Sequence, residues 1–168
     1  MPGASQAFPL APMSRLLRGL SAALCLLPAA FIASGLLWGA PRLGVGLLLA
    51  ALYVWVWLWM RPSGFVVRPD AIEVNWPLRR RRIARSGIHQ VRLIERAALL
   101  EITGKCMRVG VGGLWGGFGW LWTQHRGIVQ MYISRSDGLV WIERGAERPW
   151  LITPESPAAF VRALGGEA

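Results

Sequence analysis

The side chains that chemistry would use are few and scattered in this chain. Its two histidines, His89 and His125, are far apart in sequence, and neither lies near a cysteine pair. Zinc ligands need closely spaced Cys and His, so the spacing predicts no metal site. Cys25 falls inside an apolar segment and Cys106 in the polar part of the chain. Two thiols held in such different surroundings do not pair. No carboxylate or nucleophile stands beside either histidine in a recognisable grouping, so no enzyme activity is expected.

The most unusual stretch is VGGLWGGFGWLW, residues 111–122. A dinucleotide loop needs G-x-G-x-x-G between a strand and a helix. Counted from Gly110, the third glycine would fall at Trp115, and no helical pattern follows. No G-x-x-x-x-G-K-[ST] occurs either, so the glycines are not spaced for phosphate and no cofactor is expected. A third membrane span is also unfavourable. Residues 109–122 are uncharged but shorter than the roughly 18 residues a spanning helix needs, and each glycine costs a helix about 1 kcal/mol against alanine. Two readings remain. Trp115, Phe118, Trp120 and Trp122 insert at a membrane interface, or they fold into the domain while the glycines let backbones approach. The second is preferred, because large exposed apolar patches are uncommon.

A second candidate is the run Arg79, Arg80, Arg81 and Arg82, with Arg85 close behind. In a strand, Arg79 and Arg81 face one way and Arg80 and Arg82 the other. These arginines either contact anionic lipid headgroups or form a solvated face that enforces membrane topology.

The elements that must position these residues fall into two parts. Residues 1–60 contain no Asp or Glu and only Arg15, Arg18 and Arg42. Residues 20–39 run without a charge, and at about 1.5 Å per residue they reach the roughly 30 Å of a hydrocarbon core, with Pro28 tolerated as a kink. Residues 43–60 form a second apolar segment, with Trp55, Trp57 and Trp59 at its end. The short APR link at 40–42 requires an antiparallel hairpin. The expected division is a disordered cytoplasmic tail at 1–18, a transmembrane hairpin at 19–60 (helices 19–39 and 43–60), and a folded domain at 63–165. A cleaved signal peptide is the competing reading of the first segment, but 20 apolar residues are long for one and a second span follows at once.

The net charge is +10, divided as +3 over residues 1–60, +5 over 61–85 and +2 beyond. The excess therefore sits just after the second apolar segment. That placement favours an anionic membrane surface over nucleic acid, and it puts both termini in the cytoplasm of a multi-pass inner-membrane protein.

From residue 64 the rhythm becomes short and alternating, with Ile72, Val74 and Trp76 on one face and Glu73 and Asn75 on the other. LLEIT-GK-CMRVGV is read as a hairpin turning at Gly104. Residues 128–153 give three strands with turns at Asp137-Gly138 and Gly145. Ser156, Pro157 and Gly165 bracket a C-terminal helix. The fold class is thus a membrane α-helical hairpin plus an α+β domain, with about seven antiparallel strands in a small barrel or sandwich capped by a helix.

This plan resembles the pleckstrin-homology (PH) domain, and in particular bacterial PH domain proteins. The likeness is carried by GLWGGFGWLW at 113–122, by Gly127 and VQMYISRSDGLVWIE after it, and by LITPESPAAFVRAL at 151–164. Gly113, Gly116, Gly119 and Gly127 are its family-like glycines. The resemblance implies a fold and a membrane setting, with no enzyme activity and no established ligand. The phosphoinositide pocket of eukaryotic PH domains resembles a basic cluster at the first hairpin, whereas this chain has Asp70 at that tip with Arg68 beside it. The function expected is a non-catalytic interaction or scaffold module at the cytoplasmic face, binding a protein partner or a second copy. Recognition of anionic lipid through the arginine run and the tryptophan loop is the alternative.

Overall fold

A computed structural model of the protein describes residues 5–166. The chain opens with strand β1 (Gln6–Pro9), then two apolar helices, α1 (Arg15–Trp38) and α2 (Ala40–Trp55), the second prolonged by a π-turn at Val56–Met60. Both helical stretches are long and apolar enough to cross a membrane, with mean hydropathy 2.1 and 2.0. The link between them is shorter than expected. Gly39 alone makes the break, and Ala40 already begins α2 with a proline in its first turn, where a missing N–H costs nothing. The first helix also starts earlier, at Arg15, where the Ser14 hydroxyl accepts the Leu17 amide. The two helices touch closely because Gly35 faces Leu43 and a Cβ on Gly46 would lie 2.7 Å from Ile32.

The remaining elements are β2 (Gly64–Val67), β3 (Ala71–Asn75), β4 (Arg80–Ala84), β5 (Gln90–Ile94), α3 (Arg96–Thr103), β6 (Cys106–Gly112), β7 (Gly117–Thr123), β8 (Gly127–Ile133), β9 (Leu139–Arg144), β10 (Glu147–Ile152) and α4 (Pro157–Ala163). They form a sandwich. One sheet has the order β1-β2-β3-β4 and the other β5-β9-β10-β8-β7-β6. The expected plan of two helices, a sandwich and a closing helix is the one adopted, with more strands than expected and one parallel pair, β8 with β10.

Two cores result. Between the sheets lie Phe65, Ile72, Val74, Phe118, Val140, Trp150 and Ile152. On the outer face of the six-stranded sheet, Val129, Met131, Trp141 and Leu151 pack with Leu99 and Ile102 of α3. Phe160 of α4 plugs the first core, edge-on to Phe8 at 5.2 Å and to Phe65 at 6.0 Å.

Two expectations need correction. Residues 96–103 are a helix and not half of a hairpin. Ala97, Ala98, Leu99, Leu100 and Glu101 are good helix formers, and their apolar stripe covers the second core. Gly104 ends the helix at φ 64°, and Cys106 begins a strand paired with β7 instead. The N-terminal segment from residue 5 onward is not a disordered tail. β1 pairs antiparallel with β2, from Gln6 opposite Val67 to Pro9 opposite Gly64. Ala11 then bonds the Thr153 carbonyl at 2.9 Å, and the buried Ser134 hydroxyl donates to the Ala11 carbonyl at 2.5 Å. The tail orders because Phe8 and Leu10 bury into the first core. Residues 1–4 of the expected tail lie outside the described residues.

Candidate functional site

The glycine-tryptophan stretch divides into a loop and a strand, and the two meet different surroundings. Gly113 to Gly116 make the tight turn between β6 and β7, closed by the Gly113 amide on the Gly116 carbonyl at 3.0 Å. Gly113 has φ 93°, and a side chain there would strike Leu20 of α1. Trp115 has φ 59°, the only left-handed residue other than glycine among those described. That conformation is unfavourable for a bulky residue and persists only when its surroundings impose it. Here the helical hairpin does so. The Ser21 hydroxyl of α1 donates to the Gly113 carbonyl at 2.9 Å and accepts the Trp115 amide at 2.8 Å. The Trp115 ring stands edge-on to Trp57 at 4.8 Å and to Tyr53 at 6.2 Å.

The strand behaves differently. Phe118, Trp120 and Trp122 alternate onto the inner face of β7. Phe118 is fully buried, while Trp120 and Trp122 are 43% and 58% exposed. The six-stranded sheet is wider than its four-stranded partner, and its inner face continues past the cover. Met107 and Val109 stand opposite Trp122 and Trp120 across the β6–β7 ladder, and Ile128 opposite Trp122 on β8; all three are exposed. This apolar strip continues to Trp55 and Trp59 at the foot of α2, which with Trp120 and Arg79 line a cavity of about 240 Å³. Gly119 allows β6 and β7 to approach, and Gly127 makes the next turn at φ 65°.

The arginine run is split by strand alternation. Arg81 stands opposite Val74 on the inner face, and Arg79 stacks 4.3 Å over the Trp76 ring. Arg80 and Arg82 face outward opposite Asn75 and Glu73, and Arg82 pairs with Asp70 at the hairpin tip that the sequence singled out. Arg85 leaves the group and caps the end of α4 through the Ala163 carbonyl at 3.2 Å. Arg81 meets two arginines from elsewhere in the chain. Arg81 lies 5.6 Å and Arg144 5.0 Å from the Trp150 ring, and a cavity of about 340 Å³ beside it is also lined by Arg148 and Gln130. Burial pushes the Arg144 guanidinium below its ordinary range, with the neighbouring Glu147 acting the other way. Burial also pushes the Tyr132 phenol up, against Arg81, Arg79 and Arg144, which favour its ionised form.

The segment that builds this sandwich, with a helix plugging one core and a glycine-aromatic turn between β6 and β7, is matched in sequence by a family model. That model describes the bacterial PH domain and covers residues 63–168. The chain belongs to the bacterial PH domain family. No curated protein and no solved structure matches it. The family match begins after the helical hairpin, yet this PH domain draws its edge strand β1 from before the hairpin.

Sequence reasoning missed Ser21, Arg144, Arg148 and Gln130. None carries a local motif, and each meets a partner distant in sequence: Ser21 meets Gly113 and Trp115, while Arg144, Arg148 and Gln130 meet Arg81. His89 sits against Gly145 and His125 against Gly104, on separate turns. Among the described residues no group of three His, Cys, Asp or Glu side chains is placed to hold a metal.

Proposed function

We infer that this bacterial PH domain protein crosses the inner membrane twice through α1 and α2, and that its domain is an interaction module seated on the cytoplasmic face. The observation that carries this reading is the continuous apolar strip from Trp122 and Trp120 to Trp59 and Trp55. An exposed indole row beside a strongly apolar hairpin suits the headgroup level of a bilayer, where the ring is buried and the N–H stays wet. Exposed Leu16, Leu36, Leu37 and Leu48 on the helices support the same setting. The pairing of β1 with β2 requires both ends of the hairpin to lie on one side, and Arg15, Arg18, Arg61 and Arg68 favour the cytoplasm. The arginines and tryptophans that line the two clefts beside Trp150 and Trp120 support a binding role.

The test places an environment-sensitive probe at Trp122→Cys in a Cys25→Ala/Cys106→Ser background. The full chain is reconstituted in vesicles containing lipids that carry quenchers at known depths. Strong quenching by shallow quenchers is expected at position 122, with none at a Ser86→Cys control, which is exposed beside the β2–β3 hairpin tip at the end of the sheet away from Met60. Equal, weak quenching at both positions would refute the seat.

A protein partner is the second reading, favoured by β6. This strand is one edge of the six-stranded sheet and is exposed along nearly its whole length. Such an edge can accept a strand from a partner or a second copy. Crosslinking in native membranes that recovers only monomer would count against it.

A further inference from the structure

We propose that the cleft between β4 and the inner face of β8 and β10 is a binding site for a phosphate group, presented by a lipid of the membrane beside it. Arg81 and Arg79 occupy inner-face positions on an edge strand, where the neighbouring strand carries Val74 and Trp76. Both arginines stay exposed at this open edge, so their charge is available at the mouth of the cleft. Arg144, from the far strand β9, is only 5% exposed, lines the same cleft and leaves its Nε without a hydrogen-bond partner. Arg148 completes the set. Among the described residues Glu147 is the only carboxylate lining the cleft, and it is committed to Arg144 from an exposed position. Three guanidiniums thus face one carboxylate in the cleft, with Arg79 in the adjoining cavity.

An unbalanced positive charge around a half-buried cleft is complementary to a doubly charged oxyanion. The guanidinium fork matches phosphate oxygens two at a time, more strongly than neutral donors do. Gln130 lines both this cleft and the tryptophan-walled cavity at the foot of α2, so the two adjoin. The cationic half would take the phosphate and the aromatic half the first carbons of a glycerol backbone. A phosphomonoester fits the charge best, and a zwitterionic choline headgroup fits poorly. The proposal rests on the membrane seat only for the source of the phosphate, since binding itself depends on the arginines.

The experiment uses the full chain purified in detergent, with dioleoyl phosphatidic acid, dioleoyl phosphatidylcholine or water-soluble glycerol 3-phosphate as probe. Native mass spectrometry counts retained lipid, and thermal unfolding reads the soluble probe. Wild type is expected to retain phosphatidic acid over phosphatidylcholine. Arg81→Gln/Arg148→Gln is expected to lose about tenfold or more of that retention, as for two charge-assisted contacts. Arg80→Gln/Arg82→Gln removes the same charge from the outer face and should retain lipid like wild type. Stabilisation by glycerol 3-phosphate that is lost in Arg81→Gln/Arg148→Gln, without lipid retention, supports the phosphate site and assigns it a free ligand. Equal behaviour of the inner and outer variants with every probe overturns the proposal. Arg148→Gln alone, at the exposed rim, serves if the double variant does not fold. The depth probe at position 122 reports separately on the membrane seat.

Discussion

Ser21 and Trp115 are joined at 2.8 Å by a hydrogen bond from the tryptophan amide to the serine hydroxyl, which itself donates to the Gly113 carbonyl at 2.9 Å. One buried side chain on the second turn of α1 therefore holds the β6–β7 turn of the PH domain against the helical hairpin. Ser21→Ala leaves both the carbonyl and the amide without that partner, at a cost of about 1–3 kcal/mol. The expected outcome is faster amide hydrogen exchange confined to residues 111–117, with β9 and β10 unchanged. Uniform acceleration across the domain would show that the bond is not a local clamp.

The strand contributed by the N-terminal segment should be essential to the sandwich. Phe8 is buried against Phe160. Phe8→Ala is expected to destabilise the PH domain by about 3 kcal/mol or more, read from denaturant or thermal unfolding. A chain beginning at residue 62 would expose the β2 edge and the rings of Phe65 and Phe160, and should aggregate more readily than the full chain in the same detergent.

Close approach of α1 and α2 depends on Gly46, where a Cβ would meet Ile32 at 2.7 Å. Gly46→Val should push the helices apart at a cost of about 1–3 kcal/mol. A lowered midpoint of detergent-induced unfolding checks it, with Gly44→Val as the control because nothing lies within 4 Å of a Cβ there.

The Tyr132 phenol is held neutral chiefly by burial, and its ionisation is pushed above the ordinary value. The sign follows directly. Stability gained from keeping the phenol neutral is complete below a pH of about 10, the unfolded value, and is lost as pH rises through the higher folded value. Tyr132→Phe removes this loss. The difference in stability between wild type and Tyr132→Phe should therefore change only above pH ~10, measured by chemical unfolding across the alkaline range.

Glu147→Gln bears on the phosphate cleft in the opposite sense to the arginine variants. It takes away the carboxylate that competes for Arg144, so phosphatidic acid retention should rise about fivefold, roughly 1 kcal/mol for one near-surface charge. Unchanged retention would mean that the Arg144–Glu147 pair opens freely without affecting the ligand.

What the sequence made legible was whatever local pattern encodes. Twenty apolar residues and a tryptophan belt specify a membrane-length helix by length and composition alone. Strict alternation specified that Ile72, Val74 and Trp76 face inward, and that Arg79 and Arg81 part company with Arg80 and Arg82. The segment 96–103 was misread because a short apolar run serves a strand or a helix equally well, and packing of Leu99 and Ile102 on Met131 and Trp141 decided it.

Partner choice was decided only by the tertiary structure. Period and hydropathy describe a strand's faces but not which strand lies beside it, so nothing local could bring Gln6–Pro9 to β2, Ser21 to Gly113, or Arg144 and Arg148 to Arg81. The fate of the tryptophans follows from the same limit. Phe118, Trp120 and Trp122 share one face of one strand, yet only Phe118 is covered, because the opposing sheet ends before it reaches the other two. Composition supplied the apolar and cationic surfaces, and long-range strand pairing determined which were buried together and which were left open beside the helical hairpin.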